Sequence, residues 1–183
     1  SVGRFTTGMN TKKQGMLIET FKKLYDTGLD DWKFILTGGM LASDEPFLNG
    51  LKRQAHGYPI TMLPNVSFGD LRTLYGRARV YWHAAGFGED LTFHPERAEH
   101  FGLTTIEAMS AGVVGVVFAA GGQREVVEDR VNGFLWHTQE DLMRITNSLI
   151  GKPKIWSRVS KAAQRSAKDF SRERFCTQLT GLL

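Results

Sequence analysis

Cysteine is almost absent from this 183-residue chain: Cys176 stands alone, so no disulfide can form within it, and such thiol usage points to a reducing compartment. Long apolar runs are missing as well. No stretch approaches the roughly eighteen apolar residues of a membrane-spanning helix, and the opening Ser1-Val2-Gly3-Arg4-Phe5 has neither a signal peptide's apolar region nor its cleavage site. The chain therefore reads as soluble and cytoplasmic. No Gly-x-Gly-x-x-Gly follows the first expected strand, which disfavours a dinucleotide oxidoreductase. Basic charge is present without a stacking-aromatic motif, so no nucleic-acid partner is expected. There is no initiator methionine either, and a first segment that begins as a buried strand would points to a piece of a longer protein.

What is present fits a globular domain. Apolar residues make up 42% and charged residues 23%, enough for a core and too little net charge for disorder. The net charge of +4 has a visible source near the end, where Lys152, Lys154, Arg158, Lys161, Arg165, Lys168, Arg172 and Arg174 recur at nearly helical spacing. That face reads first as solvated, and second as a surface for peripheral association with the cytoplasmic face of an anionic membrane.

Short apolar runs alternate with amphipathic stretches from end to end, the pattern of βαβ units around a mostly parallel sheet. Six strands are expected, at residues 1–5, 32–37, 60–63, 79–84, 113–119 and 133–136. Helices are expected over 12–27, 44–56, from Ser67, over 103–111, 124–128 and 138–150, with a helical extension from about residue 152. Ser67 and Thr138 have the chemistry of N-caps, Asp70 completes a capping-box-like pattern, and Gly28 is a plausible stop. One domain, 1–183, accounts for the whole. Gly86 to Ala98 is polar and reads as a loop.

Ligands of open parallel sheets bind beyond the carboxyl ends of the strands. Three features fall on that rim. Arg4, Lys12 and Lys13 flank the loop Thr6 to Thr11 after the first strand, Glu99 to Glu107 follow the fourth, and Gly121-Gly122 follow the fifth. In Glu99-His100-Phe101-Gly102-Leu103-Thr104-Thr105-Ile106-Glu107 two carboxylates bracket a Phe-Gly turn where a helix begins. A helix N-terminus presents free N–H groups and roughly half a positive charge, which suits phosphate, and carboxylates suit hydroxyls. A sugar nucleotide offers both. Gly121-Gly122 reads equally as a ligand contact and as a strand-to-helix turn, and His83 and His94 read as packing or exposed residues.

Val2-Gly3-Arg4-Phe5, Lys12-Lys13-Gln14 before Leu17-Ile18-Glu19-Thr20-Phe21, Glu99-x-Phe101-Gly102-Leu103, Glu107-Ala108-Met109, Ala111-Gly112, Gly121-Gly122, Glu125 and Asn132-Gly133-Phe134 form an ordered set over residues 1–150. This set resembles the nucleotide-sugar-binding half of retaining glycosyltransferases of family 4. The resemblance implies a Rossmann-like three-layer domain, one half of a GT-B enzyme, whose N-terminal acceptor domain is absent from this chain and would be its partner.

By the same resemblance, Arg4 and Lys12 would hold the donor diphosphate and stabilise the charge that builds as the glycosidic bond breaks, with Lys13 as a neighbouring alternative. Glu99 would bind hydroxyls of the donor sugar and, with Arg4 and Lys12, complete the catalytic set. Glu107 would accept both ribose hydroxyls. Phe101, Gly102, Leu103 and Thr104 would offer backbone N–H groups, the Thr104 or Thr105 hydroxyl a further donor, and His100 a sugar contact. Pro64, Asn65, Val66 and Leu71 would receive the base.

The implied activity is metal-independent, retaining hexosyl transfer from a nucleoside diphosphate sugar, first of all UDP-glucose, to a saccharide or lipid-linked acceptor in polysaccharide or envelope biosynthesis. The sequence has no Asp-x-Asp motif, and no metal or other cofactor is expected. A sugar-nucleotide epimerase of the same architecture and a nucleotide-sugar-binding module inactive in isolation are the alternatives. Tyr81-Trp82-His83-Ala84-Ala85-Gly86 stands where family 4 commonly has a short Pro-Ser segment, so the 86–98 loop is expected to shape acceptor access or sugar choice.

Overall fold

Alternating strand and helix set the course of the chain in the computed structural model, which describes residues 1–7 and 11–181. The elements run α1 (Gln14–Asp26), β1 (Phe34–Gly38), α2 (Glu45–Gln54), β2 (Ile60–Pro64), α3 (Phe68–Arg77), β3 (Val80–His83), α4 (Leu103–Ser110), β4 (Val114–Phe118), α5 (Gln123–Val126), β5 (Gly133–Trp136), α6 (Gln139–Gly151), α7 (Pro153–Ala167) and α8 (Arg172–Thr180). Every strand pairing is parallel.

Local chemistry accounts for most boundaries. The Ser67 hydroxyl accepts from the Asp70 N–H at 3.1 Å and that of Thr138 from Asp141 N–H at 3.1 Å, each satisfying a donor the helix start leaves free. Gly28, at φ 107, closes α1 in the left-handed conformation, and Leu29 N–H returns to the Leu24 carbonyl. α1 begins two residues later than the apolar pattern predicts, because Lys13 sits at φ 55 and cannot belong to a right-handed helix.

The six-strand sheet is corrected to five strands in two sheets among the described residues, β1-β2 and β3-β4-β5. Residues 1–5 follow β1 without forming a full strand. Gly3 N–H donates to Thr37 O, Phe5 N–H to Gly39 O and Thr37 N–H to Ser1 O, yet only Val2 and Thr37 form a bridge. Backbones meet very closely here, since a Cβ on Gly38 would lie 2.1 Å from Gly3 O. Towards β3 the segment's hydrogen bond among the described residues is Tyr81 OH to Val2 O, at 3.5 Å. A cavity of about 480 Å³ is lined from both sheets and from α3, by Phe34, Leu74, Val80, Tyr81 and Val113.

Two apolar clusters hold the layers. Phe21, Phe34 and Trp82 meet in the larger, with ring centroids 5.1 to 6.4 Å apart, and the Trp82 indole N–H reaches Thr146 Oγ1 at 3.0 Å. In the second, Met109, Val113 and Val117 pack beneath Ala163 and Ala167 of α7. The helical extension after residue 152 is thus docked on the sheet, and Ser160 Oγ donates to Gly112 O at 2.6 Å. Among the described residues no helix is long and apolar enough to cross a membrane.

Candidate functional site

The carboxyl ends of β3 and β4, the start of α1 and the N-terminus of α4 converge on Glu99. Its Oε2 accepts from Lys12 Nζ at 2.6 Å and lies 2.9 Å from His83 Nε2. These bonds, His83 first and Lys12 next, hold the Glu99 carboxyl far below the usual carboxylate range although burial opposes them. His83 is the last residue of β3 and only 1% exposed. Burial lowers its pKa, so the ring is neutral and donates Nε2–H to the carboxylate.

Gly121 and Gly122 form the floor beneath this segment. Gly122 N–H donates to Glu99 O at 2.8 Å, while a Cβ on Gly121 would lie 2.2 Å from Glu99 O and one on Gly122 2.3 Å from His100 O. The glycine pair forms the turn from β4 into α5, with Gly122 as the N-cap, and it packs against the backbone of the Glu99–Phe101 segment. Gly102 caps α4 at φ 96, the left-handed region that favours glycine, and a Cβ there would meet the Gln123 amide at 3.1 Å. Its carbonyl receives Thr105 N–H and Ile106 N–H, which leaves the N–H groups of Gly102, Leu103 and Thr104 outside the intrahelical ladder. Gln123 itself is fully buried, and neither amide atom is hydrogen-bonded among the described residues.

Glu107 lies one turn into α4, half-buried, and its Oε2 accepts from Tyr75 OH at 3.1 Å. The Thr104 hydroxyl pairs with Tyr81 OH at 2.7 Å. Thr105 is fully buried, its methyl towards Gly115 of β4, so it serves helix-to-sheet packing instead of adding a hydroxyl to the rim.

The basic residues divide. Arg4 is exposed, its guanidinium forms no ion pair among the described residues, and its carbonyl is fixed by the buried Gln14 amide at 2.7 Å. Lys13 points to Glu89 of the 86–98 loop, and Arg97 reaches the other Glu89 oxygen at 2.7 Å. Together they draw the Glu89 carboxyl down to about 2. Part of the loop Thr6 to Thr11, residues 8–10, lies outside the described residues.

Elsewhere the expected contacts are looser. His100 is exposed, with Nε2 3.1 Å from the Glu96 carbonyl. Phe101 is exposed edge-on to Phe170, centroids 5.9 Å apart, and Leu103 is exposed beside it in sequence. At the end of β2, Asn65 takes φ 53 and clasps Met40, accepting from its N–H at 2.8 Å and donating to its carbonyl at 3.0 Å. Pro64, Val66 and Leu71 are half-buried around it and along α3. No group of three or more His, Cys, Asp or Glu side chains that could hold a metal ion occurs among the described residues.

Three residues beside the site have no role in it from the sequence: His83 reads as packing or exposed, Gln14 only as part of the lysine motif, and Tyr75 only as part of a helix. Only His83 carried a usable signal, its place at the carboxyl end of an expected strand.

The family profile described as "Glycosyl transferases group 1" matches residues 1–166. Sucrose synthase from Acidithiobacillus caldus is 35% identical over 99 residues, 50% of this chain and 12% of its own length. D-inositol 3-phosphate glycosyltransferase from Mycobacterium bovis is 32% identical over 154 residues, 77% of this chain and 29% of its own. Among solved structures, Anabaena HepE in complex with UDP and glucose superposes with a TM-score of 0.75 at 23% identity, covering 98% of this chain and 48% of HepE. The chain thus spans less than half the length of each of these proteins.

Proposed function

Because this chain belongs to the glycosyl transferases group 1 family and has the fold of a GT-B glycosyltransferase domain, we propose that it binds the nucleoside diphosphate sugar donor of a retaining, metal-independent hexosyltransferase. UDP-glucose is the donor we favour, with a saccharide or lipid-linked acceptor. Anabaena HepE, solved in complex with UDP-glucose, supports that choice. The full domain 1–183 would supply one wall of the active-site cleft, and the N-terminal domain of the parent enzyme the other.

One observation carries this reading. The Lys12–Glu99 pair lies beside the free N–H groups of α4, and Glu107 stands eight residues along. A diphosphate placed at the helix start would meet the dipole, Lys12 and Arg4, with Glu99 on the sugar side and Glu107 on the ribose side. Lys12 and Arg4 would stabilise the departing phosphate, so charge placement in place of a dedicated base would carry the catalysis. Pro64, Asn65, Val66 and Leu71 would line the base, and Phe101 to Thr104 the phosphates.

Calorimetric titration of the chain with UDP, GDP, ADP and TDP tests the proposal. One nucleotide, UDP by our reading, should bind clearly, and Glu107→Ala and Lys12→Ala should each weaken it by at least about tenfold, as loss of a charged hydrogen bond implies. Absence of binding by all four would refute it.

A further inference from the structure

His83 is a charge-free side chain in a place where it can touch only one thing of consequence. It is 1% exposed, so no ligand reaches it directly. Its Nε2 lies 2.9 Å from Glu99 Oε2, and its Nδ1 has no hydrogen-bond partner among the described residues. With no acceptor for an Nδ1 proton, the Nε2–H tautomer is the one the surroundings accept. The ring is itself held by β3, whose register sets His83 against Val117 of β4, and by Tyr81, 6.4 Å away between centroids.

The second donor to the same oxygen is of another kind. Lys12 Nζ lies 2.6 Å from Oε2 at the end of a flexible side chain that is 21% exposed. Both donors therefore converge on Oε2, and Oε1 carries no hydrogen bond among the described residues. A carboxylate offers about four acceptor sites, so this arrangement keeps one oxygen wholly available.

We propose that His83 is the positioning residue of this site: it tethers Glu99 through Oε2 so that Oε1 stays aimed at a donor-sugar hydroxyl while Lys12 exchanges from Glu99 to the diphosphate. This rests on the donor-site reading above. Without His83, the arrival of a diphosphate that recruits Lys12 would release Glu99 from both partners at the moment it is needed. A rigid, neutral tether avoids that, because a neutral ring does not compete for the phosphate.

Calorimetry on the intact chain with UDP and with UDP-glucose separates the possibilities. His83→Phe keeps an aromatic ring, slightly larger, and removes the donor, while His83→Gln restores a donor at the reach of Nε2 and His83→Asn places one short of it. UDP affinity should stay within about twofold in all three, and UDP-glucose affinity should fall about tenfold in the Phe and Asn variants and recover in Gln. Should the Phe variant fail to fold, the Asn and Gln pair gives the same reading. Equal loss of both ligands, or no loss of either, overturns the tether and leaves the donor site standing. Failure of the wild type to bind either ligand overturns the donor site, and the tether with it.

Discussion

Glu99 is held by two neighbours of different character, neutral His83 inside the sheet and cationic Lys12 at its rim, and both favour its ionised form. Its pKa in the folded chain is therefore depressed below the roughly 4.3 expected when unfolded. In that window the unfolded state binds more protons, so the stabilisation is full above about 4.3 and is lost as pH falls towards the folded value. Glu99→Gln should accordingly cost stability at neutral pH, and its gap from wild type in urea unfolding should narrow steadily as pH drops from about 5 to about 3. A gap independent of pH would mean that shape, not charge, is what Glu99 contributes. Two carboxylates eight apart around a Phe-Gly turn were visible in the sequence because all their spacing lies in one segment. The His83 partnership was not, since it joins a strand end to a loop sixteen positions later.

Elements with strong local signals appeared where they were expected. β5, Gly133–Trp136, matches residue for residue, and Ser67 and Thr138 cap the helices they were read to cap. Elements decided by tertiary contact did not. Lys13 takes a left-handed conformation and pairs with Glu89, delaying α1, and no pattern in its own neighbourhood announces either. The first expected strand is apolar enough to pair, but its ladder forms towards β1 alone, which divides one sheet into two. For α7 the basic periodicity described the wet face correctly and concealed the dry one, made of Val159, Ser160, Ala163 and Ala167. Small residues there allow close approach to Met109 and Val113, and Ala163 is fully buried. Ala163→Leu should therefore overpack the contact and destabilise by about 1 to 3 kcal/mol, whereas Lys161→Ala on the exposed side should change stability by less than about 0.5 kcal/mol. Chemical denaturation of the two variants reads the difference directly. Equal effects would show that α7 is held less closely than its buried face implies.

For the molecule as a whole, the parallel order of the strands gathers the principal candidate groups on one rim, because each strand hands its carboxyl end to the same side. Arg4 and Lys12 arrive from before α1, Glu99 from after β3, and the glycine floor from after β4, while α4 turns its N-terminus into their midst. A ligand seated there would add contacts joining these segments, so it should stabilise the folded chain globally and not only locally. Binding to the native state alone adds RT ln(1 + [L]/Kd), roughly 2.7 kcal/mol at a hundredfold excess over Kd. For a domain of this size that corresponds to a rise in Tm of about 5 to 11 °C. UDP at that excess should produce such a shift in the wild type. At the same concentration the shift should shrink by about 1 kcal/mol or more in Glu107→Ala, where losing the proposed ribose contact would weaken binding at least about tenfold, and persist in Lys161→Ala, on the exposed face of α7. If UDP raised the Tm of both variants equally, the nucleotide would have to bind somewhere other than the α4 rim.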